Sequence, residues 1–516
     1  MAIPEAIRKV ERPVNSVVVD HGGCGPLRYA VIERVGCRHV NGRNMPVDGR
    51  TIGHIVEGVF VAIRDEVASR TVELKDYADV VLIDRLSHSL LAELFTVYNA
   101  KDAMRIYAVA LLKVVYPGVP YCRIGQKYDL SWVSELLPGL PMGRNAICDF
   151  IQDLGKSCSL IARFMQQRAA SIAADHHILI DGTLKTDSSE VNSLSHFSRK
   201  ARLKGTKDIT VLFAYDVEKR EIVCSKVFGG NVLDEVSYES FLKECGVKTG
   251  IAMTDKGFPK KMAEAAFAGS PDLHWLDPLK RSDKRIEEHH MYDYTAMIDD
   301  RNIDVLYKKE RTGGCWLYSF YDRKRAAKEE ADYFKHRKGK EYDAGDMRQK
   351  DERFGTIVFE SDIDADPAVI YKMYDLRWLI EECFRYYKHA IELDDTKVHS
   401  DYSVIGSEFI NFFASVMTVR LVNRFDDCGL FKTMSYAGVM SELATAKKAK
   451  LPGSDSWDFV RTTVHAMDTM KTLGLVQDDK PVAAPRKRGR PRKAVDPNQP
   501  KRRPGRPRKN PEPQES

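Results

Sequence analysis

The chain reads as an α/β protein, and three observations lead there. From 177 to 279, short apolar runs alternate with helical patterns in the order strand, strand, strand, helix, strand, helix, strand. Two of those runs end in aspartate, HILID at Asp181 and AMTD at Asp255. Downstream, YDLRWLIEECFRYYK (374–388) places Tyr374, Arg377, Glu381, Arg385 and Lys388 on one stripe of a helix. Its other side carries Leu376, Leu379, Ile380, Cys383, Phe384 and Tyr387. This is an amphipathic helix with one apolar face to bury.

Composition narrows the class. With 516 residues, 43% hydrophobic and 30% charged, the chain is expected to be a soluble globular protein of more than one domain. MAIPEAIRKVERPVNS at the start has no apolar core, so no secretory signal is expected. No run of about 18 apolar residues suggests a membrane span. Ten scattered cysteines without a CxxC pair argue for a reducing compartment, against a disulfide framework and against a zinc site. The net charge of +6 is uneven: residues 479–516 hold 13 Lys/Arg against 4 Asp/Glu. The body is therefore mildly acidic, and the basic tail points to a polyanion partner.

Taken in order, residues 1–90 form a small mixed region. SVVVD (16–20) and YAVIERV (29–35) read as strands, and NGRNMPVDGRTIG (41–53) reads as a loop. VVLIDRLSHSLLAELFTVY (80–98) starts as strand or helix and ends as helix. Residues 91–172 are helical and a possible DNA-binding region. Within them, 131–155 reads as short helix, Pro/Gly turn, second helix. An ordinary helical hairpin explains that pattern; a helix-turn-helix would make Arg144 and Asn145 the first candidates for base contact. The strand-rich block spans 173–281, with ITVLFAYDV (209–217) and EIVCSKVFG (221–229) as a hairpin. Residues 282–365 are irregular, with strands expected at 302–309, 315–322 and 355–362. Helices follow over 366–478.

A carboxylate at a strand end faces the rim of its sheet, where α/β proteins build sites. Asp181 and Asp255 have that placement, and Glu381 would join them from a helix packed on the same sheet. Three carboxylates suit two hard divalent cations, which take oxygen ligands and together cleave phosphodiesters. Each residue also has a structural alternative. Asp181 could open an Asp-Gly turn, Asp255 could cap the next helix, and Arg377 with Glu381 could be a solvated i,i+4 pair.

These residues resemble the bacterial insertion-sequence transposases of the DDE class, in the group marked by Y-(2)-R-(3)-E-(6)-K. Here the signature is Tyr374, Arg377, Glu381 and Lys388, preceded by LIDGT around Asp181 and MTDKGF around Asp255. FGGNVLDE (228–235) is similar to the Gly-Asn…Asp segment of that group. The resemblance covers roughly 177–425. It implies an RNase H-like catalytic core with a mostly β insertion domain at 282–365, within the stretch that sets Asp255 and Glu381 126 residues apart. It implies Asp181, Asp255 and Glu381 as catalytic Mg²⁺ ligands, with Mn²⁺ able to substitute. Tyr374, Arg377 and Lys388 would contact DNA phosphate. Trp316, the one Trp in 282–365, matches a base-holding role in that group. The implied activity is binding of the element's terminal inverted repeats, strand cleavage and transfer into target DNA. A homodimer on double-stranded DNA in the bacterial cytoplasm, at the nucleoid, would carry it out. Alternatives are a metal-dependent nuclease on the same fold and a repurposed A·T-rich DNA-binding protein.

The tail 479–516 has nine prolines, no aromatics and no Leu, Ile, Phe or Met, so it is expected to be disordered alone. GRPRK occurs twice and resembles the AT-hook, with Gly489, Arg490, Pro491 and Gly505, Arg506, Pro507 as minor-groove residues. The cores are 16 residues apart, about 50 Å when extended, enough to reach two adjacent minor-groove faces. A sequence-blind polybasic tail is the alternative. The pairs His176–His177 and His289–His290 lack a metal-ligand pattern and read as structural.

Overall fold

The computed structural model describes residues 3–476 apart from 23, 24, 26, 41, 42, 63–71, 198–204, 232, 233, 256–260, 262, 301, 302, 339–344, 346 and 348–352. The chain divides into Met1–Leu475 and Val476–Ser516, and the first is described here. The two AT-hook-like cores lie outside the described residues. The first unit is mixed α/β.

Strands β1 (Ser16–Asp20), β2 (Tyr29–Val40), β3 (Arg43–Val56) and β4 (Val59–Ala62) form an antiparallel sheet in that order. Val18, Val31 and Ile55 make its small core. Residues 43–53, expected as loop, are strand, because β3 pairs along its length with β2 from Arg43↔Val40 to Ile55↔Tyr29. Gly53 in β3 marks a close approach and not a turn: a Cβ there would run into the Phe60 ring. Strand β5 (Glu73–Asp76) follows, then helix throughout Ala78–Phe95, where the sequence also allows a strand start.

Helices Ala78–Phe95, Ala100–Val115 and Arg144–Lys156 pack around Asp401–Asp427. That 27-residue helix is buried from Ser407 through Val419. By length and composition it could cross a bilayer, but it is mostly buried inside the protein, as an all-round apolar core helix is. Gly155 and Gly406 let it touch Arg144–Lys156, since a Cβ at either would collide with the other helix's backbone.

The central sheet continues with β6 (His177–Asp187), β7 (Lys207–Asp216), β8 (Glu221–Gly229), β9 (Thr249–Met253), β10 (Asp272–Pro278), β11 (Ala296–Met297), β12 (Val305–Thr312), β13 (Cys315–Asp322) and β14 (Thr356–Ser361). Its order is β11-β12-β13-β14-β10-β9-β6-β7-β8. β6 runs parallel to β9, and β9 to β10; the other neighbours are antiparallel. β14 bonds to β10, so the strands of 282–365 extend the sheet that begins at β6. Strands β15 (Lys447–Lys450) and β16 (Asp458–Phe459) form a small sheet with β5.

Candidate active site

Asp181 sits inside β6, not at its end, because the strand runs on to Asp187 and Asp181 pairs with Phe213. The following residues, GTLKTD, are polar and resemble a loop. They remain in the strand because Thr183, Lys185 and Asp187 point into a buried polar layer. Gly182 pairs with Leu212, which excludes the Asp-Gly turn. The Asp181 carboxylate accepts the Gly182 N–H at 2.7 Å.

Register brings the second acid alongside. Leu179 pairs with Met253, so Asp181 and Asp255 each stand two residues beyond a matched pair. Buried Thr254 donates to Asp277 of β10 at 2.8 Å and pins the backbone just before Asp255. The described helix beyond, Glu264–Ala268, is capped by Ala263 and not by Asp255.

Segment 374–388 is not one helix. Pro367–Asp375 ends, the chain tightens at Leu376 and Arg377, and Trp378–Arg385 begins. Arg377 N–H bonds to Tyr374 O at 3.0 Å and Leu379 N–H to Leu376 O at 2.9 Å, an i→i+3 pattern that resets the stripe. Lys388 lies on a wider turn, Tyr386–Ala390. Phe384 and Tyr387 pack edge-on against Phe213, the cross-strand neighbour of Asp181. That docking carries Glu381 to the rim.

Arg377 joins the cluster. Its guanidinium is 3.2 Å from Asp255 and 3.0 Å from Glu381. The Asp181 carboxyl is raised to about 6 from its ordinary 3.8. Burial is the main cause; the charges of Asp255 and Glu381 add to it, while the Gly182 N–H and Arg377 oppose it. Three carboxylates therefore converge around one cation, an all-oxygen donor set that fits hard divalent ions.

The other sequence candidates make contacts of their own. The Tyr374 ring packs on Phe359 with centroids 4.8 Å apart, beneath Arg325 at 5.7 Å. Lys388 is half-buried. Trp316, opposite Arg311 on the β12–β13 hairpin, lies under Lys309 at 4.6 Å. Arg144 and Asn145 are exposed at the start of their helix, whose open face also presents Asp149 and Asp153.

Sequence reasoning missed two groupings. Lys185 and Glu408 form a buried ion pair at 2.6 Å, with the Tyr387 hydroxyl donating to Glu408 at 2.7 Å and Asn411 at 2.8 Å. The partners are more than 200 residues apart in sequence, so no local pattern announces them. Elsewhere His176, Asp216 and Glu218 gather within 4.8 Å. His176 bonds to Asp216 at 2.8 Å, and Glu218 holds the His177 ring and N–H. This joins the start of β6 to the end of β7.

No known protein family and no curated protein matches the chain. Among solved structures, it is similar to the piggyBac transposase in a synaptic complex with hairpin DNA. The identity is 10% and the TM-score 0.38, over 77% of this chain and 85% of that one. A likeness at that level decides nothing about the site.

Proposed function

We propose that the chain is a DDE-class DNA transposase of the insertion-sequence type, with Asp181, Asp255 and Glu381 as its metal ligands. The observation that carries this reading is the single Arg377 guanidinium bonded to Asp255 and Glu381 beside Asp181. The order β8-β7-β6-β9-β10, antiparallel through β6 and parallel beyond it, supports an RNase H-like core. In this reading the strands of 282–365 are the insertion.

The three carboxylates would hold two Mg²⁺ ions, or Mn²⁺ in their place. Such ions, when bound, activate the attacking oxygen and stabilise the leaving one. Arg377 has a second task. Carboxylates given over to cations release its guanidinium, which then stands beside the site to hold a phosphate oxygen. Tyr374 and Lys388 are the further phosphate contacts, and Arg325 over the Tyr374 ring joins them as a cation. Terminal inverted repeats and target DNA are the substrates, a homodimer the working form and the bacterial nucleoid the place. The tail's Gly489-Arg490-Pro491 and Gly505-Arg506-Pro507 would lie in A·T minor grooves.

The test is excision in cells from a plasmid carrying a marker between the DNA ends that natively flank the gene. Wild type and Glu381→Gln are compared at matched protein levels. Excision by wild type alone supports the reading, with a loss of about 10³-fold or more for the variant. Excision by both removes Glu381 from the site. Excision by neither sinks the transposase reading in favour of a DNA-binding descendant.

A further inference from the structure

The β2–β3 pair outgrows the sheet it belongs to. β1 pairs with β2 only as far as Glu33, and β4 with β3 only from Gly53 onward. Between these limits the two strands have no lateral partner strand among the described residues, yet after register shifts between Val31 and Gly36 they stay paired from Gly36↔Val47 to Val40↔Arg43. Residues 34–37, 39 and 44–50 are all exposed, on both faces, including Val35, Met45 and Val47. The core of Val18, Val31 and Ile55 ends where this ribbon begins. A bare two-stranded ribbon is marginal in water, and one that keeps apolar side chains on its surface is shaped for a partner.

Charge identifies the partner. Residues 34–50 contain Arg34, Arg38, Arg43 and Arg50 against a single acid, Asp48, within a body that is otherwise mildly acidic. Arg34 and Arg50 touch Asp48 and the flanking Glu33 only at 3.9 Å, so these acids hold them weakly. His39 and Asn44 face each other across the ribbon with a polar contact of 2.8 Å. Strands about 4.8 Å apart, with side chains on both faces, fit a major groove about 12 Å wide. Arginine and asparagine are the side chains that read base edges there. Pairing of this edge with a second copy is disfavoured by the arginines and by Pro46 within β3.

We propose that the β2–β3 ribbon enters the major groove of duplex DNA and recognises the ends on which the chain acts. This rests on the DNA-enzyme reading above and adds the element that selects the DNA.

The test uses the full chain, tail included, in mobility-shift titrations at two salt concentrations. One duplex carries the native element end; the other is a shuffled duplex of equal composition. The ribbon variant is R34A/R38A/R43A/R50A, and the milder one is H39A/N44A. Expected for the arginine variant is a loss of about tenfold or more on the end duplex. Its salt slope should also fall by about 0.9 for each phosphate that an arginine no longer neutralises. Expected for H39A/N44A is a loss of preference for the end duplex with the salt slope kept. Unchanged affinity and preference in both variants would overturn the proposal while leaving the catalytic reading intact, provided wild type still excises. A change from dimer to monomer in sedimentation, with DNA affinity unchanged, would instead assign the ribbon to a second copy and also overturn it. Failure of wild type both to bind and to excise would bring down the catalytic reading and this one with it.

Discussion

Asp181 and Lys185 stand on the same face of β6, four residues apart, and the charged groups around them are in opposite electrostatic settings. At the rim, Asp255 and Glu381 are 52% and 57% exposed and share one guanidinium. Deeper in, Lys185 and Glu408 are 2% and 5% exposed, and Tyr387 and Asn411 complete the bonds to Glu408. Exposed pairs are worth little and exchange partners readily. A buried pair cannot lose one member without stranding the other charge. The difference separates tasks around one strand: the outer charges can exchange partners, while the inner ones hold the scaffold. Tyr387 links the regions, because it lies just past the helix that carries Glu381.

The largest expected effect tests that division directly. Lys185→Met should cost about 3–5 kcal/mol in urea unfolding, whereas Asp255→Asn should cost about 1 kcal/mol or less. Pairing Lys185→Met with Glu408→Met should recover most of the loss, since no charge is then left alone in the interior. Equal losses for Lys185→Met and Asp255→Asn would break the comparison.

A smaller change asks how firmly the inner layer grips the rim. Tyr387→Phe removes the hydroxyl that donates to Glu408 and should cost about 2 kcal/mol, as a hydrogen bond to a charged group does. Excision should fall by less than with Glu381→Gln, because the Phe384 contact with Phe213 remains to dock the helix. A loss as complete as that of Glu381→Gln would make Tyr387 part of the chemistry and erase the separation.

Much of the rim was legible because its signals are local. Apolar runs marked β7, β8 and β9, and spacing alone paired Arg377 with Glu381. The inner layer was not. GTLKTD looks like loop until Glu408, from a distant helix, supplies the partner that lets Lys185 be buried. The contact of Arg377 with Asp255 depends on docking across the sheet, and the bend at Leu376–Arg377 carries no Pro or Gly to announce it. The β2–β3 ribbon shows the converse. Its Pro, Gly, Asn and Asp read as loop, and only pairing with β2 overrides that chemistry.

Lys113 gives the finest test, because it lies beside the inner layer with no acid in ion-pair contact among the described residues. It is buried on Ala100–Val115 with its ammonium 4.3 Å above the Tyr121 ring. Burial lowers its pKa from 10.5 to about 7; the charge of Lys185 lowers it further, and Glu408 opposes both. The unfolded chain keeps this proton to about pH 10.5, and the folded chain releases it near pH 7. Between those limits the unfolded state binds more protons, so folding gains stability as pH rises and loses it as pH falls toward 7. Relative to Lys113→Met, wild type should gain about 1.4 kcal/mol per pH unit between pH 8 and 9, read from urea midpoints. Below pH 7 the difference should be flat. Parallel curves for the two proteins across that window would mean that the folded interior holds Lys113 charged. The inner layer would then share the rim's tolerance of charge.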